Sequence, residues 1–200
     1  MKPEKMIIPI RKIHETAVVH PNARIGKDVE IAPYAVIGEN VLIGDGTQIS
    51  AHVVIDGWTS IGKDCKIFPG ASIGADPQDL KFAGEKSYTF IGDNTTIREC
   101  VTINRATGEG EETRVGSNCL LMAYVHVAHN CILGNNVIMA NAATLAGLDG
   151  FPCNDLIAYG RLNRDFKHLS RNDFLQLFRN GPASLVGLFP VNDNGKGIHH

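Results

Sequence analysis

Aliphatic side chains recur at every sixth position through most of this 200-residue sequence. Counting in sixes from Ile13 to Leu145 gives 23 positions, of which 20 hold an aliphatic residue; the exceptions are Asp79, Glu85 and Glu109. An α-helix with 3.6 residues per turn cannot keep such a stripe on one face, and a regular strand alternates its faces every two residues. The period therefore predicts a repeat of hexapeptides.

A second stripe, of small or β-branched residues, follows the aliphatic positions by four residues at 18 of the 20 sites. One large and one small inward side chain per hexapeptide would fill the narrow core of a solenoid made of short parallel strands and turns. Three of the five cysteines occupy the small inward position, and we expect them to be compact core residues: Cys65, Cys119 and Cys131.

Composition narrows the function classes. A formal net charge of -2 provides no broad positive field, which argues against a nucleic-acid partner. No run of about 18 apolar residues predicts membrane insertion, and the first twelve residues, MKPEKMIIPIRK, lack a signal peptide's cleavage pattern, so we expect a cytoplasmic protein. Five cysteines without CxxC spacing predict neither a disulfide framework nor a structural zinc site.

The repeat resembles the left-handed parallel β-helix of the hexapeptide acyltransferases, whose coils contain three hexapeptides each. This resemblance, and not the spacing, implies the left hand and the triangular section. The expected fold class is an all-β solenoid. We expect an N-terminal extension over 1–12, a β-helix of about seven coils over 13–147 with an excursion loop over about 74–90, and a non-repeat tail over 148–200.

Several segments resemble one family within this group, the UDP-N-acetylglucosamine 3-O-acyltransferases of lipid A biosynthesis. The stripe alone is shared with acetyltransferases and γ-class carbonic anhydrases, but QDLK, TIRE, VTINR and HVAH in this order are specific. The resemblance implies transfer of a (3-hydroxy)acyl chain from the phosphopantetheine of acyl carrier protein to the 3-hydroxyl of UDP-N-acetylglucosamine by a homotrimer, with no other cofactor and no metal. The matching segments are HVVIDGWTSIG (52–62), PGASIGADPQDLKFAGE (69–85), IGDNTTIRECVTINRAT (91–107), LLMAYVHVAHNC (120–131) and ANAATLAG (140–147).

His126 and His129 are the candidates for proton transfer. A sugar hydroxyl needs a base, and imidazole titrates near neutrality. The resemblance assigns the catalytic base to His129 and a substrate contact in the same groove to His126. Since Val127 and Cys131 take the inward positions, both histidines should point outward; the alternative is that either one hydrogen-bonds a turn carbonyl. The family often has Asp after the base, whereas this chain has Asn130, whose amide oxygen accepts a hydrogen bond without supplying charge.

The excursion loop carries further candidates. The resemblance makes Gln78, Asp79 and Lys81 substrate-binding residues, with Lys81 near the UDP phosphates; a solvated loop with ordinary charges is the alternative. Arg98 and Arg105 are possible phosphate or pantetheine contacts, although solenoid faces carry many solvated arginines. In the family, the glycine matching Gly147 donates its N–H to the thioester oxygen, while a plain turn glycine is the alternative.

The repeat stops after Gly147, and the 53 residues that follow contain no Glu. A replacement cap is one explanation, because SRNDFLQLFRNG predicts a short amphipathic helix over about 171–180. A frameshift or truncation after codon 147 is the other, and the abrupt change of composition favours it. Either would impair the enzyme, so the alternatives for function are another hexapeptide acyl- or acetyltransferase, a carbonic-anhydrase-like zinc site on the two histidines, or an inactive solenoid remnant.

Overall fold

The computed structural model describes residues 12–145 and the two short strands at 152–153 and 157–158. Its strands form three parallel sheets of seven strands each, and every strand pairs with the strand three places along the chain. One turn of the chain therefore adds one strand to each sheet. This arrangement confirms the predicted three-sided solenoid of about seven coils.

The three sheets divide the strands in strict rotation. Sheet one contains β1 (Val18–Val19), β4 (Val36–Ile37), β7 (Val54–Ile55), β10 (Ser72–Ala75), β13 (Thr102–Asn104), β16 (His126–Val127) and β19 (Thr144–Leu145). Sheet two contains β2 (Arg24–Ile25), β5 (Leu42–Ile43), β8 (Trp58–Ile61), β11 (Tyr88–Ile91), β14 (Glu112–Val115), β17 (Ile132–Leu133) and β20 (Pro152–Cys153). Sheet three contains β3 (Glu30–Ile31), β6 (Gln48–Ile49), β9 (Lys66–Ile67), β12 (Thr96–Ile97), β15 (Leu120–Leu121), β18 (Ile138–Met139) and β21 (Ile157–Ala158).

The aliphatic stripe forms the core. From Ile31 to Leu145 its aliphatic members are all buried, whereas Ile13, Val19 and Ile25 are more exposed because they lie in the first coil, at the open end. The small stripe is buried beside it, and Cys65, Cys119 and Cys131 are core residues, as predicted. Burial raises the pKa of the Cys65 and Cys119 thiols, so the neutral form dominates inside the prism.

The glycines that follow the aliphatic residues make room for a side-chain ladder at one corner. The Asp45 carboxylate accepts the Lys27 N–H at 2.8 Å from one coil further on, and Asp93 does the same for Lys63 at 2.7 Å. A Cβ on Gly26 would lie only 2.6 Å from the Asp45 Oδ1 atom. Glycine is therefore required where the backbone must pass under the carboxylate.

Two insertions explain the three exceptions to the stripe. Val54 pairs with Ser72 across an uninterrupted coil of three hexapeptides. The step from Ser72 to its partner Thr102 is longer than this by two hexapeptides, and the step from Thr102 to His126 is longer by one. Because both insertions are whole hexapeptides in length, the aliphatic phase survives them. The first forms the loop 76–87, within the predicted excursion, and the second forms the loop 105–111.

Two strands lie beyond the expected end of the repeat. Leu133 pairs with Cys153 and Met139 pairs with Ala158, and neither separation along the chain is a multiple of six. Counting in sixes therefore misses both strands. The domain boundary at 147 and the frameshift explanation stay predictions. The predicted helix over 171–180 lies outside the described residues.

Candidate active site

Three successive turns at one corner of the prism bring the candidate residues together. The loop 76–87 joins β10 to β11, the loop 105–111 joins β13 to β14, and the turn 128–131 joins β16 to β17. All three connect sheet one to sheet two, and they stack because these strands are consecutive neighbours in each sheet. The stacking places Asp79, Thr107 and His129 at the same corner although they are far apart in the sequence.

His129 has a defined tautomer because Asn130 has a defined orientation. The Asn130 Oδ1 atom accepts the Thr107 N–H at 2.9 Å, and the Asn130 Nδ2 atom donates to the Thr107 carbonyl at 3.1 Å. A backbone N–H can only donate and a carbonyl can only accept, so the amide cannot be turned over. Its oxygen lies 2.9 Å from His129 Nδ1, which must therefore carry the hydrogen. The lone pair of the neutral ring is left on Nε2.

The Nε2 atom of His129 faces the loop 76–87. It lies 3.9 Å from Asp79 Oδ2, beyond hydrogen-bond distance, and the two side chains are 23% and 26% exposed. The other Asp79 oxygen accepts the Lys81 N–H at 2.9 Å, which fixes the carboxylate in the loop. The corner thus holds a partly exposed base opposite a carboxylate that would stabilise the protonated ring.

His126 lies on the outer face of sheet one, beside the same corner. Its Nδ1 atom is 2.7 Å from Thr102 Oγ1, its register partner in the preceding coil. Burial lowers the pKa of His126, and the neighbouring His129 lowers it further. His126 is therefore a neutral hydrogen-bonding group at neutral pH. Both histidines lie outside the core, as the spacing predicts, and their roles stay predictions.

The structure places the other predicted residues unequally. Gln78 and Lys81 are exposed on the loop 76–87. Arg98 follows β12 at a different corner, between sheet three and sheet one, where it binds Glu99 at 3.0 Å and covers the Phe68 ring. Arg105 lies at the same corner as His129 but is 13% exposed and paired with Asp76. Gly147 lies outside the described residues.

The residues that hold the two loops together were not predicted from the sequence. Glu85 accepts the Gly108 N–H at 2.9 Å, and Glu109 accepts the Lys86 N–H at 3.0 Å, so each loop caps the other. The bond from Gly108 is the largest cause of the lowered pKa of Glu85. The signal was present, because Glu85 and Glu109 are two of the three exceptions in the aliphatic stripe. Thr107, which orients Asn130, left no such signal.

Metal ligands and membrane-spanning helices were also sought in the described part of the chain. Among residues 12–145, no group of three or more His, Cys, Asp or Glu side chains is arranged to hold a metal ion. Within the same residues, no helix is long and apolar enough to cross a membrane.

Comparisons with protein-family models match most of the repeat. Residues 6–108 match the model described as the GMPPB C-terminal domain, and residues 112–147 match the model described as bacterial transferase hexapeptide (six repeats). The two matches together span the stretch in which the six-residue period was found.

Curated relatives of this chain include acyltransferases that act on a nucleotide sugar. The acyl-[acyl-carrier-protein]--UDP-N-acetylglucosamine O-acyltransferase of Thermodesulfovibrio yellowstonii is 53% identical over 139 residues, which are 69% of this chain and 54% of the relative. The chain spans about half the length of this and the other curated relatives with long matches.

Solved structures of the same enzyme share the fold. The UDP-N-acetylglucosamine acyltransferase from Campylobacter jejuni is 46% identical, with a TM-score of 0.65 over 68% of this chain and 53% of that one. The enzyme from Bacteroides fragilis is 49% identical, with a TM-score of 0.64 over 72% and 54%.

Proposed function

Because the chain belongs to the UDP-N-acetylglucosamine O-acyltransferase family of left-handed hexapeptide β-helices, we propose that it transfers a (3-hydroxy)acyl chain from acyl carrier protein to UDP-N-acetylglucosamine. The acceptor would be the 3-hydroxyl of the sugar, and the reaction would be the first step of lipid A biosynthesis. The observation that carries the proposal is the corner at which Asn130 fixes the His129 tautomer and leaves Nε2 free beside the loop 76–87.

The base step follows from this geometry. The His129 Nε2 lone pair accepts the proton of the sugar hydroxyl, and the Asn130 oxygen holds the Nδ1–H as the ring becomes imidazolium. Asp79, 3.9 Å from Nε2, lowers the cost of that charge. A positioned base of this kind typically contributes roughly 10²- to 10⁴-fold in rate.

The acyl step conserves the proton. The sugar oxygen forms a bond to the thioester carbonyl carbon, negative charge develops on the carbonyl oxygen, and the C–S bond then breaks. The imidazolium of His129 returns its proton to the departing pantetheine sulfur, so the enzyme ends the cycle neutral. We propose that the Gly147 N–H donates to the carbonyl oxygen, a contribution of about 3 kcal/mol in comparable sites.

His126 would serve as an uncharged contact. Its lowered pKa keeps the ring neutral, so it can hydrogen-bond substrate without raising the energy of the neighbouring His129 imidazolium. Gln78, Asp79 and Lys81 would bind the nucleotide sugar from the loop 76–87, with the Lys81 ammonium as a point charge for the diphosphate.

The assembly and setting belong to the same proposal. We infer a homotrimer, acyl carrier protein as the partner that delivers the phosphopantetheine thioester, and no other cofactor. A cytoplasmic location and the absence of nucleic-acid binding are further expectations, the latter from the net charge of -2.

The test is a product assay on the full chain. UDP-N-acetylglucosamine is incubated with a set of (3-hydroxy)acyl carrier-protein thioesters, and the product is identified by mass spectrometry, with acetyl-CoA as the competing donor. We expect an O-acylated nucleotide sugar from a carrier-protein donor. Product from acetyl-CoA alone would indicate a different hexapeptide transferase, and no product from any donor would indicate an inactive solenoid.

A further inference from the structure

We propose that Arg105 and Asp76 form a clamp that positions the loop 76–87, and that Arg105 is a positioning residue and not a ligand of the substrate phosphates. The proposal corrects the role considered for Arg105 from the sequence. Its consequence for substrate binding rests on the proposed function, whereas its consequence for the order of the loop does not.

The clamp joins residues that are far apart in the chain. The Arg105 guanidinium contacts Asp76 Oδ1 at 2.7 Å, and the Arg105 side chain is 13% exposed. Its plane also lies near two aromatic rings, 5.5 Å from the centre of Trp58 and 5.1 Å from that of Phe82, which belongs to the loop. Arg105 therefore contacts the loop both at its first residue and near its middle. Cation–π contacts of this kind strengthen when the cation is desolvated.

Backbone bonds fix the same end of the loop. The Arg105 N–H donates to the Ala75 carbonyl at 3.0 Å, and the Asn104 Nδ2 atom donates to the Asp76 carbonyl at 2.7 Å. Asn104 is buried, so its amide has no solvent to exchange for this bond. Two consecutive residues at the end of β13 thus hold Ala75 and Asp76 by main chain and side chain together.

The guanidinium has little capacity left for a phosphate. One face of the group is neutralised by Asp76, and a Cβ on Gly57 would lie 2.9 Å from an Nη atom of Arg105, which shows how closely the preceding coil packs there. The Nε atom is buried, and within the described residues it has no hydrogen-bond partner. A phosphate would have to displace the Asp76 carboxylate and enter between two rings to reach the charge.

The clamp sets the position of the residues proposed to bind substrate. Asp79 closely follows Asp76 in the loop and faces His129 Nε2 at 3.9 Å, while its backbone carbonyl accepts the Phe82 N–H at 3.0 Å. Phe82 in turn packs against Arg105. Loosening the clamp should therefore displace Asp79 and Lys81 without altering His129, and a shift of about 1 Å at a reacting site can cost on the order of 100-fold.

Asp76→Asn and Arg105→Ala test the clamp, with Arg114→Ala as the matched control. Arg114 also pairs with a carboxylate, Glu112 at 2.7 Å, and covers an aromatic ring, but it lies on the outer face of sheet two. The first readout needs no activity: hydrogen exchange at the Lys81 and Phe82 amides, together with the emission of Trp58, which is the only tryptophan in the sequence. We expect faster exchange and altered emission in both clamp variants and neither change in Arg114→Ala.

The second readout separates positioning from phosphate binding. We expect both variants to raise the KM for UDP-N-acetylglucosamine by about tenfold or more, with the double variant no worse than the worse single one. A direct phosphate ligand predicts the opposite for Asp76→Asn, because removing the carboxylate frees the guanidinium and should leave affinity unchanged or stronger. That result, or unchanged exchange in Asp76→Asn, overturns the proposal. If the parent chain makes no product while the exchange changes occur, the proposed function fails and the clamp stands.

Discussion

His129 Nδ1 lies 2.9 Å from the side-chain oxygen of Asn130, the residue next to it in sequence, and that oxygen cannot change places with the amide nitrogen because Thr107 both donates to it and accepts from its neighbour. The backbone makes this possible, since Asn130 takes a φ of 58°, a left-handed conformation that Asn tolerates better than most residues. A neutral amide therefore orients the candidate base as a carboxylate would, without adding charge.

His129→Ala should abolish acyl transfer, with a loss of at least about 10²-fold, because no other neutral ring at the corner has its Nε2 facing Asp79 among the described residues. Product formation is followed by mass spectrometry, and assembly by light scattering. We expect the oligomer to persist, since His129 lies outside the core. Parental activity in the variant would remove His129 from the mechanism.

Asn130→Asp should move the acid limb of the pH–rate profile to higher pH, because a carboxylate beside Nδ1 stabilises the imidazolium of His129. It should also loosen the loop 105–111, since a carboxylate cannot donate to the Thr107 carbonyl. The control is Asn136→Asp, at a left-handed turn of another corner with φ of 62°. An unshifted acid limb in Asn130→Asp would show that residue 130 does not act on the base.

His126→Gln should weaken the pH dependence of stability in mildly acidic solution. Burial lowers the folded-state pKa of His126 below the unfolded value of about 6.5, so the unfolded chain binds the proton more tightly, and the free energy of unfolding falls as the pH drops below that value. The glutamine variant lacks this contribution. Urea unfolding between about pH 7.5 and 5 measures it, with the exposed His20→Gln as the control. Parallel curves for His126→Gln and the parent would contradict the expectation.

Ile97→Ala should lower the free energy of unfolding by about 2–5 kcal/mol, because Ile97 is fully buried in the sixth-residue stripe and the coils above and below cannot collapse into the space. Thr96→Ala, one residue earlier on the outer face of β12, should change it by no more than about 0.5 kcal/mol. Chemical denaturation of the two variants makes the comparison. Equal losses would mean that the inward stripe does not carry the stability.

The loops show where local reasoning reached its limit. The exceptions at Glu85 and Glu109 reveal that the repeat is interrupted, but not that each carboxylate caps the backbone of the other loop, because the partners lie in different coils. Arg105 illustrates the same limit more sharply. Its sequence context permits a phosphate contact, whereas its burial against Asp76, Trp58 and Phe82 depends on other turns of the chain.

The sequence by itself determined the solenoid, its coil length and its inward residues, because a hexapeptide is a local unit and each one buries its aliphatic side chain in the same way. The tertiary structure alone decided which polar residues meet. Insertions of two hexapeptides and of one leave from the same corner in adjacent coils, so the stacking of the coils, and not any nearness in sequence, brings Asp79, Thr107 and His129 together. A period fixes which side chains point inward, while the positions of the outward ones relative to each other follow only from the pairing of the strands.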